Sequence, residues 1–302
     1  MQYYIILNIR INNVIKAKNK AHSVAMKNTA KSMILDLLVA AGDKPLLARE
    51  AVAACALFGI SENSVRVALA RLSAESLIKG AGRGSYKLGP NALQLSAELA
   101  AWQQAEQRMR PWAGDYLLVY AAALGRTDRT ALRQRERALQ MLGFCELQKG
   151  LYIRPNNIED DIAAVRQRLL ALGLEPQALV FTGNGFTDEE LARIRTLWDG
   201  AALTQRYQQL THQLNEWLAS AVDLEPEVRA REVFVLGSAA IRQVLFDPLL
   251  PEPFVDSQVR HAFVECAQHF VAEGRRIWLE LFANGLSPVP VEPACSTQHP
   301  LH

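Results

Sequence analysis

The sequence has little from which to build a metal or redox centre. Its four cysteines stand at 55, 145, 266 and 295. They are far apart and contain no C-x-x-C pair, a pattern of reduced thiols in a cytoplasmic protein rather than of a disulfide framework or a zinc site. His261 and His269 are eight residues apart on an expected helix. No ligand set surrounds them and the H-E-x-x-H spacing is missing, so both are read as ordinary residues, and no metal or cofactor is expected. A secretory leader is missing too. The apolar run Tyr3-Tyr4-Ile5-Ile6-Leu7 is broken by Asn8, Arg10 and Asn12, and no small-residue cleavage site follows. Neither export nor a membrane partner is expected.

Acidic residues are absent from residues 1–31, which hold six basic ones. This segment reads as a flexible basic extension, with Met26 or Met33 as an alternative start. The net charge of +2 hides an asymmetry: residues 1–89 carry 13 Lys+Arg against 5 Asp+Glu, and the remainder 20 against 26. A basic amino-terminal part on an acidic body is the distribution of a nucleic-acid-binding module attached to a solvated remainder. With 302 residues, half of them hydrophobic, the chain is long enough for two or three folded domains.

The stretch Ser61-Glu62-Asn63-Ser64-Val65-Arg66-Val67-Ala68-Leu69-Ala70-Arg71-Leu72 organises that basic part. Ser61 is a good N-cap, and Gly59 before it allows a sharp turn. Val65, Ala68, Leu69 and Leu72 fall on one helical face, leaving Asn63, Ser64, Arg66, Val67 and Arg71 on or near the other. A helix expected over Leu46–Leu57 precedes a turn of a few residues, which is the layout of a helix-turn-helix. A first helix is expected over residues 32–40, ended by Gly42-Asp43-Lys44-Pro45. Leu77-Ile78-Lys79 and Ser85-Tyr86-Lys87-Leu88 flank a glycine-rich turn and predict a hairpin wing. Short polar and basic side chains on such a helix suit a major groove. The candidate DNA-binding residues are therefore Ser61, Asn63, Ser64, Arg66 and Arg71 on the helix, with Lys79, Arg83, Ser85 and Lys87 on the wing. For Arg71 a salt bridge to Glu75, one turn on, is the structural alternative. One such helix reads too few base pairs for selectivity, so a homodimer on double-stranded operator DNA with an inverted repeat is expected.

A helical linker is expected over residues 91–111, joining the winged module to the rest or pairing with its counterpart in a dimer. The pattern then changes to βαββαβ: strands at 116–120, 144–147, 151–154 and 178–181, and helices at 128–142 and 158–172. That order is ferredoxin-like. From Thr187 onward the periodicity is helical, roughly over 187–198, 203–222, 226–246 and 255–283, followed by a loose tail. The expected fold class is α+β, with an extension at 1–31, a winged helix-turn-helix at 32–90, the linker at 91–111, a ferredoxin-like domain at 112–186, a helical domain at 187–284 and a tail at 285–302.

Read this far, the chain resembles the PaaX-like repressors of phenylacetate degradation. The resemblance is carried by Val65-Arg66-x-Ala68-Leu69-x-Arg71-Leu72, Tyr86-x-Leu88, Trp112-x-Gly114, Leu142-Gly143-Phe144-x-x-Leu147-x-x-Gly150-x-x-Ile153-x-Pro155 and Asp247-Pro248-x-Leu250-Pro251. It implies a winged helix-turn-helix, a central domain like the Cas2 fold and a helical carboxy-terminal domain. It also implies dimeric binding to operator DNA and release by an acyl-coenzyme A effector such as phenylacetyl-coenzyme A. The wing is less basic than the family pattern, Tyr116 stands where a Trp is common, and Pro253-Phe254 replaces a Leu-rich stretch. Residues do not locate the effector. Arg129, Arg133, Arg135 and Arg137 are basic groups for its phosphates, set against a plain solvated helix face. The alternative function is a metal-dependent nuclease of Cas2 type, which needs carboxylates at the end of the first central strand. Ala121-Ala122-Ala123 follow Tyr120 there, and Asp115 lies at the other end.

Overall fold

The computed structural model describes residues 29–42, 44–92, 106–125 and 127–284. Almost all of the expected extension, most of the linker and the whole tail lie outside the described residues. The chain divides into two compact units, at Ala97–Glu98 and at Arg276–Ile277, with the last part counted with the first.

In the first unit α1 (Ala30–Ala41) begins at Thr29, whose hydroxyl accepts from the Ser32 amide while the Ser32 hydroxyl accepts from the Thr29 amide. This reciprocal box satisfies two amides that a helix start otherwise leaves open. After it come β1 (Leu46–Leu47), α2 (Ala48–Ala56), α3 (Glu62–Ala74), β2 (Ile78–Gly80) and β3 (Ser85–Leu88). The strands form an antiparallel sheet in the order β1-β3-β2. The helix expected from Leu46 therefore starts two residues later. Leu46 and Leu47 pair with Tyr86 and Ser85 across the sheet, a partnership made forty residues away. Met33, Ile34, Leu38, Ala54, Cys55, Val65, Leu72 and Ile78 are buried together as the core, and each large apolar side chain among them contributes about 1.5–3 kcal/mol. Burial pushes the Cys55 thiol up to about 12, so it stays protonated at neutral pH.

The second unit holds β4 (Tyr116–Tyr120), α4 (Arg129–Met141), β5 (Cys145–Gln148), β6 (Leu151–Pro155), α5 (Ile162–Ala171) and β7 (Leu179–Gly183). All neighbours are antiparallel in the order β5-β6-β4-β7, which is the ferredoxin-like arrangement. β4 lies between two strands, and Tyr116, Leu117, Leu118 and Val119 are all buried. Because successive side chains point to opposite faces, both faces of β4 are covered over these residues, and its apolar run is continuous rather than alternating. The helices α6 (Asp188–Arg195), α7 (Gly200–Ser220), α8 (Pro226–Leu245) and α9 (Ser257–Ala283) complete the chain, the residues of α9 from Ile277 on being counted with the first unit. Pro226 sits in the first turn of α8, where its missing amide costs nothing. The described end of the expected linker is not a regular helix. Residues 106–108 make one tight turn, and Met109 bridges to Ile158.

Two segments that carry the family resemblance meet in this unit. Gly143 has φ +72°, and a Cβ there would stand 2.7 Å from the Pro248 carbonyl oxygen. No larger residue fits that turn. Beside it the Arg154 side chain, 1 % exposed, donates to the carbonyls of Leu142, Pro155 and Leu249 and to Asn157 Oδ1. Burial first, and then the Arg108 cation, lower its proton affinity to about 9, which still leaves it charged at neutral pH. Asn157 Nδ2 also donates to the Leu249 carbonyl, at 2.8 Å. Leu249 has φ +49°, and its amide donates to Asp247 Oδ1 at 2.7 Å. The Tyr207 hydroxyl donates to Asp247 Oδ2 at 2.5 Å. Burial raises the Asp247 pKa, while the bonds from Tyr207 and the Leu249 amide oppose the rise. The Asp-Pro-x-Leu-Pro motif is thus an anchor joining the helices to the end of β6 and the turn before β5.

Candidate nucleic-acid interface

α3 divides as its sequence predicts. Val65, Ala68, Leu69 and Leu72 are buried, and Ser61, Asn63, Ser64, Arg66, Val67 and Arg71 are exposed. Gly59, at φ +69°, makes the turn between α2 and α3. The Ser61 oxygen accepts from the Ser64 amide at 3.4 Å and lies 2.9 Å from the Ser64 hydroxyl. Both serines therefore secure the helix start, and their free hydrogen-bonding capacity faces solvent. Arg66 is held by Glu62 one turn earlier, Nε at 2.9 Å and Nη2 at 2.5 Å from the same carboxylate oxygen. The salt bridge weighed for Arg71 does not form, because Glu75 pairs with Lys31 at 2.5 Å instead. The partner lies 44 residues back on α1 and is not visible in helical spacing.

On the wing, Arg83 is exposed at the turn, between Gly82 (φ +131°) and Gly84 (φ +69°). Lys79 and Lys87 are directly opposite each other across β2 and β3. Like charges facing across a strand pair repel, and an anion between them would relieve that repulsion. Lys79 is exposed and Lys87 half-buried. Ser85 departs from its expected place, being 7 % exposed at the β1 side of β3. That burial leaves its hydroxyl little surface to offer a phosphate. The sequence places Val67 on this outward face without giving it a role, and it is 42 % exposed beside Arg66. A valine left in solvent on an otherwise polar helix face was the available signal.

The arginines on α4 are not one solvated face. Arg129 and Arg133 are exposed, but Arg135 and Arg137 are buried. Arg135 clasps Glu175 at 2.5 and 3.0 Å, and that contact holds the Glu175 carboxyl below the usual carboxylate range. At the end of β4, Ala121 to Ala123 supply no carboxylate, and Asp115 at the opposite end accepts from Asn156 at 2.6 Å. Among the described residues no three His, Cys, Asp or Glu side chains gather as a metal-holding group, and no helix is long and apolar enough to cross a membrane.

No curated protein matches the chain. A solved structure, an uncharacterized protein Rv0674 from Mycobacterium tuberculosis, shares the fold with a TM-score of 0.56 at 24% identity, covering 83% of this chain and 99% of that one. Three family models match in succession, each on one folded part. The PaaX-like protein model matches residues 29–92, the central Cas2-like domain of PaaX protein residues 110–194, and the PaaX-like carboxy-terminal domain residues 198–280. With winged module, ferredoxin-like sheet and closing helices each matched in order, the chain belongs to the PaaX-like protein family.

Proposed function

We propose that the protein is a DNA-binding transcriptional repressor of an aromatic-acid catabolic operon of the phenylacetate type, released from its operator by an acyl-coenzyme A effector such as phenylacetyl-coenzyme A. The observation that carries this reading is the solvent-facing side of α3, where Asn63, Ser64, Arg66 and Arg71 stand clear of a fully buried apolar side. Asn63 and Arg66 have the donors that read purine edges in a major groove, and Val67 beside them offers the apolar contact that a thymine methyl takes. Lys79, Arg83 and Lys87 meet phosphates from the wing, each contributing about one ion to the salt dependence. A homodimer places two such helices on an inverted repeat, with half-sites about 10 base pairs apart or a multiple of that.

The test is a titration of full-length protein, at fixed salt, against the duplex upstream of its own gene and of neighbouring aromatic-acid genes, with scrambled duplex as control. Selectivity on the order of a thousandfold or more is expected, with release on adding phenylacetyl-coenzyme A. Equal affinity for every duplex would overturn the reading.

A further inference from the structure

Within the first unit α2, α3 and β3 enclose, together with Phe282 at the end of α9, a cavity of about 840 Å³. That lies within the range of small-molecule sites, roughly 300–1,000 Å³. Val52, Leu69, Tyr86 and Phe282 give it apolar walls, and Arg49 and Arg66 bring cations to it. Phe282 is anchored there by its neighbours, since Trp278 and Leu281 are buried and the Trp278 ring lies 5.6 Å from that of Phe282. Two carboxylates also line the cavity, but each is committed. Glu50 accepts from the Leu47 amide at 2.8 Å, and Glu62 holds Arg66. Arg49 is exposed and forms no ion pair among the described residues.

A neutral apolar ligand would leave the Arg49 cation unanswered, and a small inorganic anion would leave the apolar walls wet. We propose that this cavity binds an amphipathic organic anion, an aryl or acyl group with a carboxylate or phosphorylated head, and that the ligand releases DNA by engaging Arg66. This rests on α3 being the recognition helix. The ligand's anion replaces Glu62 at the guanidinium and turns it toward the cavity, away from the base edges. Because DNA and ligand compete for one side chain, each weakens the other by the same factor.

The experiment uses full-length protein and four probes: phenylacetyl-coenzyme A, hexanoyl-coenzyme A, phenylacetate and free coenzyme A. Binding is measured by calorimetry with and without operator duplex. The variants Ala70→Phe and Val52→Phe fill the cavity from α3 and from α2, and neither residue is among those assigned to DNA. At least one probe with both an apolar and an anionic end is expected to bind the wild type. Each variant should weaken that probe about tenfold or more and keep operator affinity within about threefold, and operator should weaken the probe by a factor of about 5–150. The arms separate the head groups, since phenylacetate alone identifies a carboxylate ligand and thioesters alone a phosphorylated one. Variants that bind the probe as tightly as wild type overturn the site, and so does a wild type that binds none of the four. In either case selective operator binding by the wild type, read in the same titrations, leaves the repressor intact, whereas loss of that selectivity sinks the repressor itself. Circular dichroism checks each variant's fold, and if one unfolds the other decides.

Discussion

Arg66→Ala perturbs the proposed base-reading face at a single side chain. The Arg66 and Glu62 side chains are 73 % and 56 % exposed, so their pairing is screened by water and worth only about 0.3–0.5 kcal/mol. A bidentate contact from the same guanidinium to a guanine is worth about 1–3 kcal/mol of discrimination. The exchange therefore favours DNA by about 0.5–2.5 kcal/mol, or roughly 2- to 60-fold in affinity. Alanine is the better helix former and the position is exposed, so folding should change by no more than about 0.5 kcal/mol. Fluorescence anisotropy against operator and scrambled duplexes is expected to show the ratio of the two affinities falling by that factor in Arg66→Ala, with the thermal melt unmoved. Glu62→Gln should strengthen operator binding about twofold by freeing the guanidinium, and most of that gain should vanish in the Arg66→Ala background, since coupled neighbours are non-additive. A folded Arg66→Ala protein that keeps the wild-type ratio between operator and scrambled DNA would refute the assignment of α3 as the reading element.

Arg154→Met removes a buried cation that answers three carbonyls and an amide oxygen. Leaving those neutral acceptors unpaired should cost about 1–3 kcal/mol and lower the melting temperature by about 2–12 °C, read by calorimetry. Tyr207→Phe deletes the hydroxyl that supports the Asp247 carboxylate. Because the folded-state pKa of Asp247 is raised, the native state holds that proton more tightly than the unfolded chain, and stability is lost as pH rises through the folded pKa. Without Tyr207 the rise is larger, so urea unfolding should show a greater loss in the variant at neutral than at acid pH, by about 1–3 kcal/mol. Equal losses at both would refute that account. Duplex, single-stranded DNA and RNA incubated with the protein and magnesium should remain uncut on a denaturing gel, because β4 ends in Ala121-Ala122-Ala123. Metal-dependent cleavage would restore the nuclease alternative.

The sequence by itself determined what is local. A capped start at Ser61 and four apolar residues at helical spacing define α3, because helix faces are set by neighbours three and four apart. The alternation of strands and helices gave the βαββαβ order for the same reason, and the family motifs were readable in register. Only the tertiary structure decided which side chains were already occupied. Leu46 and Leu47 became a strand because β3 came alongside. Ser85 was turned inward, Arg135 was claimed by Glu175 forty residues later, and Lys31 took the carboxylate that was the alternative partner for Arg71. Gly143 and Pro248, a hundred residues apart, owe their places to one contact. Pairings over such distances depend on which surfaces the folded core brings together, and no spacing along the chain encodes them.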